Sequence, residues 1–482
     1  MWGAWVVLAV GVLFVMRLVW RSLTWPLVHD APLMHYAAWR ISQGAVPYRD
    51  VFDMNFPGIY LVHLFVVRVL GTGDLAWRLF DLAWLGGGVV AAAAFTARWG
   101  RLAAGAAAVL FALYHLSAGA WQAGQRDFLL CPLILAGALG VARWTESRRW
   151  GALAGGGLAL GASTTMKPHT VALVGALGVV VALSAWRARG RVTAPTALFV
   201  AASAVAPLGV VSWLALAGAL PAWRAIVLDY LLPLYSRLGR TEAWNVYRPE
   251  VLLPIGAGAA LSVAAALGAR RFQARHAVAA LGVLYGVVHF VGQGKGWEYH
   301  LYPLVTFGIV LLTAEIEPSL RRLQRPVAVP LLLSAVLAGV LLADRAAAVS
   351  PATWEREKAD QARRLAAELG PMLGPGETVQ VLDTTAGGIH ALLRLGVRQP
   401  TRFLYDFHFF HDTGDATIRA LRAELIRDLD AHPPALIVLF ERGWPTGGYE
   451  RVDTFPELAA RLARYDLVQA GPGYRIHAQR HR

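Results

Sequence analysis

The 482-residue chain has a single cysteine, Cys131, and only 16% of its residues are charged. One cysteine cannot close an internal disulfide, so it says nothing about redox compartment. The charged fraction is well under the roughly one quarter usual for soluble domains. The hydrophilic C-terminal part has no Gly-rich phosphate loop and no metal-ligand spacing, which removes P-loop and zinc-module readings there. The first apolar run, Trp2 to Trp20, lacks a basic leader and a small-residue cleavage site before Arg21. It reads as a retained anchor rather than a removed signal.

Long apolar runs, in contrast, are abundant. Hydrophobic residues make up 56% of the chain. Runs at 2–20, 75–97, 102–119, 126–143, 151–166, 168–186, 195–217, 251–268, 276–293, 299–315 and 327–344 approach the about 20 residues of a transmembrane helix, giving roughly eleven spans. Pro57–Leu70 is shorter and carries His63 and Arg68. It reads as an interfacial or re-entrant helix, with a tilted span as the alternative.

The net charge of +14 reflects topology rather than nucleic-acid binding. The loops Arg98–Arg101, Arg143–Arg149, Arg187–Arg191, Arg270–Arg275 and Arg321–Arg325 are basic and alternate with the other connections. Basic short loops stay in the cytoplasm, so the N-terminus is expected inside and the first loop, 21–74, outside. Arg17 and Arg21 count mildly against this scheme. The outer face then also receives Trp121–Asp127, Lys167–His169, 218–250, Gln293–His300 and the segment after about 346.

From Pro351 on, charge is frequent and apolar runs are short. Glu355–Leu369 has helical periodicity; Thr378–Asp383 and Ala435–Phe440 read as buried strands, and Tyr465–Ala478 as a final pair. The expected architecture is a polytopic α-helical membrane module, 1–345, followed by a small extracytoplasmic α/β domain, 346–482.

Polar residues near membrane depth are expensive and mark function. In the first loop, Asp30 precedes a helical stretch, Ala31–Gln43. It suits an N-cap and, compatibly, a catalytic or ligand role. Asp53 precedes Pro57-Gly58; two carboxylates on one cavity can act as base and as orienting partner or cation ligand. Asp50 reads as a solvated loop charge. Arg126 and Asp127 read either as an ion pair with each other or as site residues. Lys167, with His169 two residues on, either snorkels or holds a phosphate as a point charge.

Lys295, Glu298, Tyr299 and His300 sit in a glycine-containing loop that could approach a ligand closely, with aromatics suited to sugars or to an interfacial belt. The loop 218–250 sets Arg224, Arg237, Arg240 and Arg248 beside Trp223, Tyr230, Tyr235, Trp244 and Tyr247. That pattern fits an anionic lipid head group or plain interfacial anchors. His408 and His411 lack a third ligand at motif spacing for a metal site.

The order HDAPLMHYAAWRISQGAVPYRDVFDMNFPGIYLVHLF, VLGTGDLAWRLFD, QRDFLLCPL, TTMKPH and EYHLYPL resembles the GT-C glycosyltransferases, in the branch of protein O-mannosyltransferases and lipid A aminoarabinose transferases. The likeness covers about residues 1–315 and is strongest over 25–85. It implies transfer of a sugar from a polyprenyl-phosphate carrier to a lipid, glycan or protein hydroxyl on the periplasmic face of a bacterial inner membrane, for cell-envelope modification. Asp30 matches the family's catalytic acid, and Asp53 with Asn55 and Pro57 matches in part a second acidic element. The basic residue that follows that acid in the family is missing here, which shifts phosphate contact to Lys167 or the arginines. Asp127 matches a further acidic position, and Tyr299, His300 and Tyr302-Pro303 an aromatic-proline segment. No organic cofactor is implied; a divalent cation is left open. A transporter or flippase of polyprenyl-linked lipid would show paired halves and charges along a mid-membrane path. The sequence has no clear internal repeat, and its charges sit mostly at helix ends. A non-catalytic assembly protein is the other alternative.

Overall fold

The computed structural model describes residues 2–190, 192–242, 249–349, 353–444 and 447–480. Of the residues considered above, Arg191, Trp244, Tyr247, Arg248 and Pro351 lie outside the described residues.

Among the described residues, fifteen α-helices precede the hydrophilic part: α1 Trp2–Ser22, α2 Ala31–Ser42, α3 Pro57–Val69, α4 Asp74–Thr96, α5 Arg101–Leu116, α6 Arg126–Ser147, α7 Trp150–Met166, α8 Val171–Arg189, α9 Thr193–Leu216, α10 Leu220–Ala225, α11 Pro249–Gly268, α12 Ala274–Gln293, α13 Tyr302–Ala314, α14 Ile316–Arg321 and α15 Arg325–Val349, with a π-helix at Ile226–Tyr235. Among the described residues, nine helical stretches are long and apolar enough to cross a membrane. This is two fewer than the eleven expected. The difference lies at α5, of 16 residues, and α7, of 17, which at 1.5 Å per residue reach about 24–26 Å against a hydrocarbon core of about 30 Å. The 13-residue α3 reaches only about 20 Å. It packs on α2 and α7.

Helix α7 is rich in small residues because it is wedged between α6 and α9. A methyl group on Gly140 of α6 would sit 2.6 Å from the Cα of Gly156 in α7. Without a hydrophobic drive between helices in lipid, such close backbone approach supplies the packing.

The hydrophilic part contains α16 Thr353–Leu369, β1 Val379–Leu382, α17 Gly388–Leu395, α18 Ala416–Ala431, β2 Leu436–Phe440, α19 Pro456–Leu462, β3 Tyr465–Gly471 and β4 Tyr474–Gln479. The sheet order is β1-β2-β4-β3. β1 and β2 are parallel, Val379 opposite Leu436, while β4 runs antiparallel to β2 and forms a hairpin with β3. Every residue of β1 and β2 is buried, the near-continuous pattern of strands covered on both faces.

This α/β part is stapled to the first loop. The Tyr36 hydroxyl accepts from the Gln399 amide at 3.0 Å and donates to the Val397 carbonyl at 3.2 Å. The Phe52 amide donates to the Arg402 carbonyl at 2.7 Å, and Arg402 Nη1 donates to the Tyr48 carbonyl at 3.0 Å. His408 Nδ1 and His411 Nε2 lie 2.6 and 3.0 Å from the Tyr230 hydroxyl. Hydrogen bonding to a tyrosine accounts for these two histidines.

Candidate active site

The loop between α1 and α3 folds back so that its two acids face the N-terminus of α6. Asp30 sits at the N-cap position of α2, yet its side chain makes no cap hydrogen bond and its own backbone is already helical. The carboxylate turns away from the helix instead. Its Oδ2 accepts from Gln125 Nε2 at 3.3 Å and lies 3.6 Å from Arg126 Nη2. The preceding residue, His29, takes a left-handed backbone with φ +62°. Such a conformation costs a non-glycine residue energy and is commonly kept for function. Here it directs Asp30 inward.

Asp53 is fully buried. It accepts from the Tyr60 hydroxyl and from Asn55 Nδ2 at 2.8–2.9 Å. The Asn55 carbonyl oxygen accepts in turn from Arg126 Nη1. One guanidinium therefore stands between the two acids, touching Asp30 directly and Asp53 through Asn55. The acids are set apart electrostatically. Burial raises the Asp30 carboxyl, but His29, Arg126 and the Gln125 amide more than offset it and hold it below the usual carboxylate range. Burial dominates at Asp53 and raises it despite Tyr60, Asn55 and Arg126. Two carboxyls pushed in opposite directions suit different roles.

Arg126 and Asp127 do not pair with each other. Consecutive residues on a helix point about 100° apart, so Arg126 faces the first loop and Asp127 the bundle interior. Asp127 Oδ1 lies 2.6 Å from His289 Nε2 and accepts from Gln293 Nε2 at 3.3 Å. Its Oδ2 lies 3.2 Å from Lys167 Nζ. Asp127 also occupies the first turn of α6, where the helix dipole favours an anion. Lys167 donates to Gln293 Oε1 at 3.0 Å, and His169 Nε2 lies 2.7 Å from His289 Nδ1. Burial lowers the Lys167 ammonium from its usual range, with Asp127 pulling the other way.

The loop after α12 closes the site. Lys295 Nζ donates to the carbonyls of Leu238 and Tyr235 at 2.7 and 3.1 Å and lies 3.8 Å from the Tyr235 ring centroid. Burial, with the charges of Lys167, Arg240 and Arg126, lowers this ammonium to about 8. Tyr299 stacks edge-on to Trp121 and His300. His300 lies beside His289, with ring centroids 6.1 Å apart, and its Nδ1 is buried without a partner. Glu298 is drawn off to a buried ion pair with Arg345 at the end of α15. Asp50 binds its own loop, accepting from Val46 N and Arg49 Nε at 2.8 Å.

The structure thus gathers Asp30, Asp53, Arg126, Asp127, Lys167 and His169, with Lys295, Tyr299 and His300 around them, and leaves Glu298 in a separate pair. It adds His289, Gln293, Tyr235 and Tyr405. Tyr405 comes from the α/β part and interacts electrostatically with Asp30, Asp53 and Arg126. His289 and Gln293 lie one turn apart on α12, with Tyr285 a turn before; this i, i+4 polar stripe inside an apolar run was the available signal. A second buried network also escapes a reading of the sequence: Arg78 with Asp81, His115 Nε2 3.1 Å from Asp81 and His115 Nδ1 2.9 Å from the Tyr302 hydroxyl. Among the described residues no group of three or more His, Cys, Asp and Glu side chains is placed to hold a metal ion. The cation found between the two first-loop acids is Arg126 itself.

No protein-family model matches the chain, and no curated protein does. Solved structures do. ArnT from Cupriavidus metallidurans bound to undecaprenyl phosphate is 15% identical, with a TM-score of 0.62 over 98% of this chain and 97% of that one; its apo form gives 0.64 over the same shares. The archaeal oligosaccharyltransferase AglB from Archaeoglobus fulgidus, in complex with an inhibitory peptide and a dolichol-phosphate, is 13% identical with a TM-score of 0.51, over 96% of this chain and 72% of that one. Both are members of the GT-C superfamily. This chain accordingly shares the fold of these solved structures, a polytopic α-helical membrane protein with a small C-terminal sheet.

Proposed function

We propose that the chain is a membrane glycosyltransferase that moves a sugar from a polyprenyl-phosphate carrier to an acceptor hydroxyl on the extracytoplasmic face of a bacterial inner membrane. The observation that carries this reading is Asp30, held ionised beside the buried Arg126, with Lys167, paired to Asp127, near enough to interact electrostatically with both Asp30 and Arg126. A carboxylate base needs to be charged, and a departing lipid phosphate needs fixed positive charge in a low-dielectric site. The neighbours crystallised with undecaprenyl phosphate and dolichol-phosphate support the donor class.

In the reaction, the acceptor O–H gives its proton to Asp30 while its oxygen attacks the anomeric carbon. The bond from that carbon to the phosphate oxygen breaks, and its electron pair leaves with the carrier phosphate toward Arg126, Lys167 and Lys295. Direct displacement inverts the anomeric centre. Asp53, pushed toward its neutral form, keeps Asn55 and hence Arg126 in place.

The test is to incubate purified protein with a panel of polyprenyl-phosphate sugars and a lipid, glycan and peptide acceptor set, then quantify released lipid phosphate by mass spectrometry. At least one donor is expected to be consumed. Consumption of none by folded protein would sink the donor class.

A further inference from the structure

We infer that the open cleft over the C-terminal ends of β1 and β2 binds an uncharged carbohydrate segment of the acceptor; that this ligand is the acceptor rests on the transferase reading, whereas its chemistry follows from the cleft itself. The cleft has a volume of about 680 Å³, within the roughly 300–1,000 Å³ of small-molecule sites. It is bounded by one face of α16, the loop after β1, the loop after β2 and the β3–β4 turn. Ligands of open α/β sheets gather at this end of parallel strands.

Three features choose the ligand class. Lys358, Arg364 and Arg442 line the cleft together with Glu357, Asp360 and Glu441, three charges of each sign. A polyanion would meet as much repulsion as attraction there, whereas sugar hydroxyls both donate to carboxylates and accept from cations. Next, the backbone amides that could cradle a phosphate at the start of α17 are already taken. Ala386 N donates to Asp383 Oδ1 at 2.8 Å, and Gly387 N and Gly388 N donate to Oδ2 at 3.0 and 2.8 Å. The protein's own carboxylate fills that anion position. Last, Trp354 and Trp444 stand at the cleft, and Trp354 is 39% exposed. Indole faces suit the apolar faces of sugar rings.

The cleft also communicates with the transfer site. Lys358 lines it, and its Nζ lies 3.2 Å from His29 Nδ1 while donating to the Thr385 carbonyl at 2.9 Å. The Trp354 ring centroid is 6.4 Å from that of His29. Lys358 also interacts electrostatically with Asp30, so the α16 wall of the cleft borders the transfer site. On the other flank, Trp444 lies 5.8 Å from Lys295 Nζ.

The experiment is saturation-transfer NMR of maltotriose and chitotriose with the full-length protein in lipid nanodiscs, which avoids sugar-headed detergents. Wild type is expected to transfer saturation to at least one trisaccharide, and both Trp354→Ala and the double variant Glu441→Ala/Arg442→Ala to weaken binding about tenfold, as loss of a stacking or hydrogen-bonding partner worth about one decade would. Asp30→Asn is expected to bind as wild type does. No donor lipid is present, so failure of the transferase reading would show in the donor assay and leave this result standing. The inference is overturned if neither trisaccharide receives saturation from wild type, or if all cleft variants bind as wild type does. It is equally overturned if a Ser/Thr-rich peptide is bound and both sugars are refused.

Discussion

Replacing Asp30 by Asn keeps the shape of the side chain and removes its charge and its basicity. The two losses act in opposite directions. On the proposal that Asp30 is the general base, its loss removes about 10²–10⁴ in rate, so kcat is expected to fall by that factor. As an anion 3.6 Å from Arg126, it neutralises part of the field that a lipid phosphate would feel. At an effective dielectric of about 20, that pair is worth roughly 4–5 kcal/mol before desolvation is subtracted. Freed of it, Arg126 presents more positive potential to the carrier, and donor KM is expected to stay level or fall. Some stability is lost because a largely buried guanidinium loses its counter-charge, although Asn55 still accepts from it; about 1–3 kcal/mol is expected. The assay is steady-state kinetics on released lipid phosphate with the acceptor saturating, alongside a thermal melt. A fall in kcat of less than tenfold would refute the base assignment. So would a rise in donor KM with kcat intact, which would make Asp30 a substrate anchor.

Lys295 offers a pH signature. Its folded-state value of about 8 is below the ordinary lysine value of about 10.4, so its charge is present below about 8 and lost as pH rises through it. A polyprenyl-phosphate sugar is a phosphodiester and does not titrate there, so donor KM should rise about tenfold from about pH 7 to about pH 9, consistent with losing one charge-assisted hydrogen bond. In Lys295→Arg this rise should vanish; a wild-type donor KM flat over that range would refute the contact. Glu298→Ala strands Arg345 in a buried setting, where the pair is 4% and 7% exposed. A loss of about 3–5 kcal/mol is expected in the melt, with kcat/KM of the folded fraction unchanged; altered kinetics at full stability would return Glu298 to the site.

The spans were legible because a soluble core has little use for so many apolar runs of helical length, whereas a bilayer requires them. The four strands were legible for a related reason: Val379–Leu382 and Leu436–Phe440 are short, apolar and bounded by turns, and Pro472-Gly473 marks the final hairpin. Asp30 and Lys167 stood out as charges beside apolar segments. What the sequence did not disclose is the direction in which side chains point. Arg126 and Asp127 are adjacent in the chain, which invites pairing, yet helical rotation sends them to distant and different partners. Asp127 meets Lys167, and Arg126 meets Asn55. Tyr405 was even less accessible, since nothing local to it announces a meeting with Asp30. The same is true of His115, which looks like an ordinary interfacial histidine until α4 brings Asp81 to it.

The staples between the first loop and the α/β part bear on the order in which the protein becomes competent. Tyr36, Tyr48 and Phe52 flank the loop acids, and their partners Val397, Gln399 and Arg402 emerge from the ribosome only after the whole bundle has been made. A nascent bundle that has inserted all its helices still lacks these staples on the loop bearing Asp30 and Asp53. On the transferase reading, competence is thereby deferred until the segment 397–402 has been made, and a chain truncated before it is expected to insert its helices yet release no lipid phosphate.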